Sequence, residues 1–214
     1  MKLTKLPLVA ALSLLVLSSN AWAQSTKRLI DEVNPFIGTS NFGTTNPGAV
    51  VPNGLMSITP FNVSGSPELN KFDKDKRWWS TPYTADNKFF SGFSHVNLSG
   101  VGCPELGSII VSASTGDLDV DYTHYGSAMS EEKAHPGYYS VQLDKHKIKA
   151  EVTATQRTAV SAFTFERGGK SNILVNLGLG LTNESGATVR FLNDSTIVGS
   201  KLMGTFCYAP QAVF

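Results

Sequence analysis

The chain has 214 residues, of which 41% are hydrophobic, 10% aromatic and 16% charged, with two cysteines and a formal net charge of +1. That apolar share supports one packed domain and excludes global disorder. The near-neutral charge offers no field for gripping nucleic acid or an anionic membrane, and two cysteines cannot staple a disulfide-dense scaffold. The first element along the chain is an export signal over residues 1–23: Lys2 and Lys5, an apolar run at 6–17, then Ala21-Trp22-Ala23 as a small-x-small cleavage site. Its 12 residues fall short of the roughly 20 that a membrane helix needs. Cleavage after Ala23 removes two lysines and takes the formal charge from +1 to −1. The mature chain, 24–214, is therefore expected to be exported, periplasmic or secreted, with no membrane span.

From Asn34 to Gly107 the chain is rich in Gly, Pro, Asn, Ser and aromatic residues and shows few clean strands. Long ordered loops are uncommon unless functional, and the aromatic content speaks against disorder, so the segment reads as shaped loops on a rigid scaffold. A strand is expected at Leu55–Thr59 and another at Ser108–Ser112. Tyr139, Val141 and Leu143 alternate with polar residues, a turn is expected around His146, and Ile148, Ala150, Val152 and Ala154 then share one face of a half-buried strand. Residues 157–165 continue the pattern through Phe163 and Phe165, while Ile173-Leu-Val175 reads as a strand buried on both faces. Further strands are expected at Thr188–Leu192, Thr196–Ser200 and Met203–Tyr208. Short strands at this spacing with no sustained helical period predict an all-β fold, an antiparallel sandwich.

Several motifs carry competing readings. Gly38-Thr-Ser-Asn-Phe-Gly43 and Asn46-Pro-Gly48 lack the Lys and helix of a phosphate cradle and read as tight turns. Trp78-Trp79 is either a sugar-stacking platform or a hydrophobic plug. In Gly92–Cys103, His95, Asn97 and Ser99 alternate and would share a face of an extended segment, where they suit hydroxyl recognition. A structural histidine bonded to backbone is the competing reading of His95. Cys103 and Cys207 are read as two buried thiols in preference to a bridge. Asp117, Asp119 and Asp121 suggest a strand with a solvated acidic face, and Glu105, Glu131 and Glu132 read as isolated surface carboxylates. No pair is assigned as general acid and base, and no metal ligand is assigned.

Several stretches, in order, resemble the N-terminal domain of glycoside hydrolase family 92. They are Val33-Asn-Pro-Phe-Ile-Gly-Thr39, Asn46-Pro-Gly-Ala-Val-Val-Pro-Asn-Gly-Leu-Met56, Gly92-Phe-Ser-His95, Leu98-Ser-Gly100 and Gly102-Cys103. His135-Pro-Gly-Tyr-Tyr-Ser-Val141 and Ile148-Lys-Ala-Glu-Val-Thr-Ala-Thr155 with Arg157 complete the set. The resemblance implies a galactose-mutarotase-like β-sandwich from an exported, calcium-dependent, inverting exo-α-mannosidase acting on mannose-containing glycans. It further implies that the catalytic acid, base and most Ca2+ ligands belong to a C-terminal (α/α)6 barrel that this chain lacks, and that the sandwich stops before its last strand. On that view the loops at 36–52 and 78–103 wall one side of the sugar pocket. Trp78, Trp79, His95, Asn97, Ser99, Gly100, Gly102 and Cys103 are the expected substrate-binding residues. A free-standing carbohydrate-binding module is the alternative.

Overall fold

A computed structural model describes residues 28–41, 43–63, 80–100, 102–166, 168–181 and 184–203, together with the backbone of 211–213. The expected export signal at 1–23 and the Trp78-Trp79 pair lie outside them. The chain forms two compact units, Met1–Glu32 and Val33–Phe214. In the first, a 3-10 turn spans Leu29–Glu32, with Arg28 donating to Asp31 at 2.8 Å.

The second unit is almost entirely strand. Its first half carries β1 (Ala49–Val50), β2 (Ser57–Phe61), β3 (Phe89–Phe90), β4 (Gly92–Asn97) and β5 (Leu106–Thr115). A single-turn helix, α1 (Tyr122–Tyr125), precedes β6 (Ser127–His135), β7 (Tyr138–Leu143), β8 (Ile148–Ala154) and β9 (Ala159–Phe165). Then come β10 (Ser171–Asn176), β11 (Glu184–Asn193), β12 (Thr196–Met203) and β13 (Gln211–Val213). They assemble into two five-stranded sheets, ordered β1-β2-β4-β5-β10 and β3-β6-β7-β8-β9, and a three-stranded sheet, β11-β12-β13. The pairings are antiparallel. This is the all-β, antiparallel sandwich expected from the strand pattern.

The alternation along β8 explains how the sheets meet. Ile148, Ala150, Val152 and Ala154 are buried while Lys149 and Thr153 face water. They join Tyr139, Val141 and Leu143 of β7 and Met129 of β6 against Ile58, Phe93 and Ala113 from the other five-stranded sheet. Phe93 lies at the centre, its ring edge-to-face with Phe90 at 4.9 Å and with Tyr139 at 6.2 Å. Phe163 and Phe165 of β9 close the side, half-buried against the same cluster. The first sheet is covered on its other face as well, since Phe61, on the opposite side of β2 from Ile58, packs with Val63, Ile110 and Leu179.

Two strand expectations need correction, and a third lies largely outside the described residues. Ile173-Leu-Val175 is not buried on both faces: β10 is a sheet edge, with Leu174 inside and Ile173 and Val175 57% and 40% exposed. Those outward residues belong to a wider apolar surface. Ile109, Val175, Leu177, Val189, Ile197 and Val198 line a groove of about 790 Å³ between the β5–β10 edge and the β11–β12 hairpin. At the root of that hairpin Lys201 and Glu184 form an ion pair at 2.6 Å with both side chains out of solvent. The acidic run is likewise not a strand. Asp121 caps α1, accepting from the Thr123 N–H at 2.9 Å, a standard use of Asp at a helix start. Finally, the expected strand at Met203–Tyr208 falls largely on residues outside those described, and β12 ends at Met203.

Candidate functional site

The glycine-punctuated segment at 36–48 closes on itself. Asn34 Oδ1 accepts from the Phe36 N–H at 3.0 Å, and Thr39 Oγ1 donates to Phe36 O at 2.8 Å. Thr45 bonds back across the loop, its N–H to Gly38 O and its Oγ1 to Ile37 O at 2.8 Å. Gly38 takes φ +78°, and a Cβ on Gly43 would overlap Gly38 O, so the two glycines are required by the turn itself. Tight-turn chemistry is what the sequence predicted there.

Hydrogen bonds then tie this loop to two others. The Ala85 N–H donates to Thr39 O at 2.7 Å and the Asn41 N–H to Asp86 Oδ2 at 3.3 Å, joining it to residues 80–87. The Gly100 N–H donates to Thr44 O at 2.8 Å and Asn46 Nδ2 to Leu98 O at 3.3 Å, joining it to the β4–β5 connection. Among the described residues, parts of the segments expected to wall a pocket, 39–46, 85–86 and 98–100, are thus bonded together. Asp86 was not singled out in the sequence, and Thr39 and Asn46 figured there only as members of turn and family motifs; small polar loop residues bonding across 40 or more positions leave no local signature.

His95 sits within β4, register-paired with Ile58 and so on the face toward the second sheet. Its Nδ1 lies 2.7 Å from Ile109 O. A carbonyl can only accept, so Nδ1 carries the hydrogen and Nε2 presents a lone pair. Burial pushes the ring's pKa below the ordinary 6.5 and so favours the neutral imidazole, while the bond to the Ile109 carbonyl partly opposes the shift. A neutral acceptor of this kind suits a hydroxyl donor, and it also satisfies the structural reading of this histidine.

Asn97 does not share that task. Its Nδ2 donates to Ser94 O at 3.0 Å and to Ser57 O at 3.3 Å, and its Oδ1 accepts from Ser94 Oγ at 2.7 Å. An amide so engaged holds β4 to β2 and has little left to offer a ligand. The expected common face of His95, Asn97 and Ser99 fails for a backbone reason: Val96 has φ +56°, which breaks the strand alternation. Leu106 at +60° and Ile109 at +54° are equally unusual for bulky side chains, and all three lie around His95. Such conformations cost on the order of 1–3 kcal/mol each and gather at functional sites.

Beyond Asn97, Ser99, Gly100 and Gly102 are exposed and Cys103 is half-buried. Cys103 is disulfide-bonded, which corrects the expectation of two free thiols; Cys207 lies outside the described residues. Glu105 and Glu132 are corrected too. Glu105 is buried, and Glu132 turns inward to two tyrosine hydroxyls. Among the described residues no group of three or more His, Cys, Asp or Glu is placed to hold a metal ion.

The antiparallel sandwich thus carries glycine-rich loops that are hydrogen-bonded to one another. Residues 32–214 match the glycosyl hydrolase family 92 N-terminal domain, and the chain belongs to that family. It is 31% identical to the family GH92 α-mannosidase of Bacteroides thetaiotaomicron, with a TM-score of 0.74 over 82% of this chain and 24% of that one. The same enzyme in complex with mannoimidazole gives a TM-score of 0.72 over 82% of this chain and 23% of that one. An uncharacterized secreted glycosidase of Arthroderma benhamiae is 29% identical over 178 residues, 77% of this chain and 21% of that protein. The chain thus spans between a fifth and a quarter of the length of these relatives.

Proposed function

We propose that the chain is the N-terminal sandwich of an exported exo-α-mannosidase. Its loops at 36–52 and 78–103 position a terminal α-mannoside, for instance α-1,2-linked in a glycan, and keep water off one side. The carrying observation is the mutual bonding of residues 36–48, 80–87 and 97–100 within a chain of this family. His95 Nε2 would accept from a sugar hydroxyl, and the exposed Ser99 and the backbone of Gly100 and Gly102 would complete the polar contacts. Trp78 and Trp79 would stack on the sugar ring.

The family resemblance supports hydrolysis with inversion, in which one carboxylic acid protonates the leaving oxygen and a second carboxylate activates water. We assign neither role, nor any Ca2+ ligand, to this chain. The acid, base and calcium cage belong in our reading to a C-terminal catalytic domain, with calcium holding sugar hydroxyls when bound.

The test is to incubate the purified chain with 4-nitrophenyl α-D-mannopyranoside and calcium, and separately to titrate it with methyl α-D-mannopyranoside and methyl α-D-galactopyranoside. We expect no turnover and a preference for the mannoside. Calcium-dependent turnover that survives purification would refute the division of labour, and equal response to both sugars would refute the recognition role. Tight mannose binding that disappears in Trp78→Ala and Trp79→Ala would instead favour a free-standing binding module.

A further inference from the structure

Away from the loops themselves, the Glu132 carboxylate accepts from three side chains. It lies on β6, whose pairing with β7 slips between Ser130 and Lys133. Glu131 takes φ +51° at that slip. Such a bulge adds a residue and re-aims the side chains beyond it. Glu131 is left in solvent and Glu132 is directed inward, its side chain 9% exposed. There Oε2 accepts from Tyr83 Oη at 2.7 Å and Tyr139 Oη at 2.8 Å, while Oε1 accepts from Lys88 Nζ at 2.8 Å. Both phenols are buried, and burial first, then the neighbouring carboxylate, raises their pKa above the ordinary 10.0, so they stay protonated as donors.

Two of those donors, Tyr83 and Lys88, bracket the segment that carries Ala85 and Asp86. On its other side the segment is held by Asn62, whose Oδ1 accepts from the Thr84 N–H at 2.8 Å and whose Nδ2 donates to Thr84 O and Asn87 O. Ala85 and Asp86 in turn bond the 36–48 loop, which bonds Gly100. Hydrogen bonds at both ends of the 83–88 backbone therefore connect the bulge in the second sheet to the loops of the proposed sugar-binding wall.

We propose that Glu132 is a positioning residue for that wall: through Tyr83 and Lys88 it fixes residues 80–88, and through Ala85 and Asp86 it sets the glycine loop where a mannoside is met. The proposal rests on the wall reading for its consequence in binding, but not for its structural content. Three converging donors need an anionic acceptor; an amide in the same place would turn its own N–H bonds toward one of them.

Amide hydrogen exchange on Glu132→Gln decides it, with methyl α-D-mannopyranoside titration as the second readout. In the variant the amides of Ala85 and Gly100 should exchange at least about tenfold faster than in the parent, the scale of one hydrogen bond to a charged group. Those of Val141 and Ala150 in the β7–β8 core should keep their rates, and mannoside affinity should fall. A uniform acceleration of all amides would show a merely structural role and overturn the proposal, as would unchanged loop amides. Should Glu132→Gln fail to fold, Tyr83→Phe cuts the same link by one hydroxyl, and loop amides at parental rates in that variant would overturn the proposal equally. If the parent binds no mannoside, the wall reading fails alone, because the exchange comparison still decides the role of Glu132.

Discussion

Phe93→Ala tests the sandwich interface at its centre. The Phe93 side chain is fully buried, edge-to-face with Phe90 and Tyr139 and in contact range of Phe163, so its removal opens a cavity between the two five-stranded sheets. Those neighbours are held by their own strands and cannot collapse freely into the space. Phe-to-Ala changes at such sites cost about 3–5 kcal/mol in all, the lost aromatic pairing included. Domains have total stabilities of about 5–15 kcal/mol, so the variant should be close to unfolding. A domain of this size shifts by about 2–4 °C per kcal/mol, predicting a Tm lower by roughly 6–20 °C. Urea unfolding followed by tryptophan fluorescence and far-ultraviolet circular dichroism measures it directly. A loss below about 1 kcal/mol would mean that the sheets do not meet at Phe93 and that the core described here is wrong.

Other consequences are open to the same methods. Ile173→Thr together with Phe191→Ser, at exposed apolar positions on the edge strand and hairpin, should reduce self-association in sedimentation while changing stability by no more than about 0.5 kcal/mol each; a large loss of stability would show these side chains to be core. Lys201→Met strands the Glu184 carboxylate, whose pKa burial already raises against the pull of Lys201. It should destabilise by about 3–5 kcal/mol, with much of the loss recovered in the Lys201→Met/Glu184→Leu double variant; no recovery would contradict a charge-desolvation cause. His95 and His146 both lie below the ordinary value of 6.5 because burial disfavours the charged ring. The unfolded chain then binds protons that the folded chain refuses, so their contribution is complete above pH 6.5 and lost as the pH falls from there toward the folded values. Urea midpoints across that range should fall less steeply in His95→Asn than in the parent, and identical slopes would exclude His95 as a contributor. Gly43→Ala, whose Cβ would overlap Gly38 O, should loosen the glycine loop and weaken any response to mannoside, visible as lost exchange protection at Thr45 and Gly100.

How far the sequence carried differs from strand to strand for identifiable reasons. The alternation of β8 was legible because one face meets the core and the other water, so residue type reports position. Ile173-Leu-Val175 misled because an apolar run reports that a side chain is oily, not that something covers it; only the sheet order shows β10 to be an edge. β6 went unread because its bulge breaks the two-residue period, and the same slip hid Glu132, whose partner Tyr83 lies 49 positions away. At the candidate site, composition showed where the tight turns lie, since Gly, Asn and Ser are the residues that such turns demand. It could not apportion roles within them. Asn97 and His95 look equally suited to a sugar until the backbone at Val96 turns Asn97 into the β2–β4 bonds, while burial disfavours the charged form of His95.

The central claim is that residues 36–48, 80–87 and 95–103 make one mannoside-facing surface. The most direct measurement is a titration of isotope-labelled protein with methyl α-D-mannopyranoside, following backbone amide shifts in two-dimensional NMR. The account predicts saturable changes confined to Gly38–Asn46, Ala85–Asn87 and His95–Cys103, with a smaller response to the galactoside. Shifts centred instead on the β10–β12 groove, or none in those loops as the mannoside concentration rises, would contradict it.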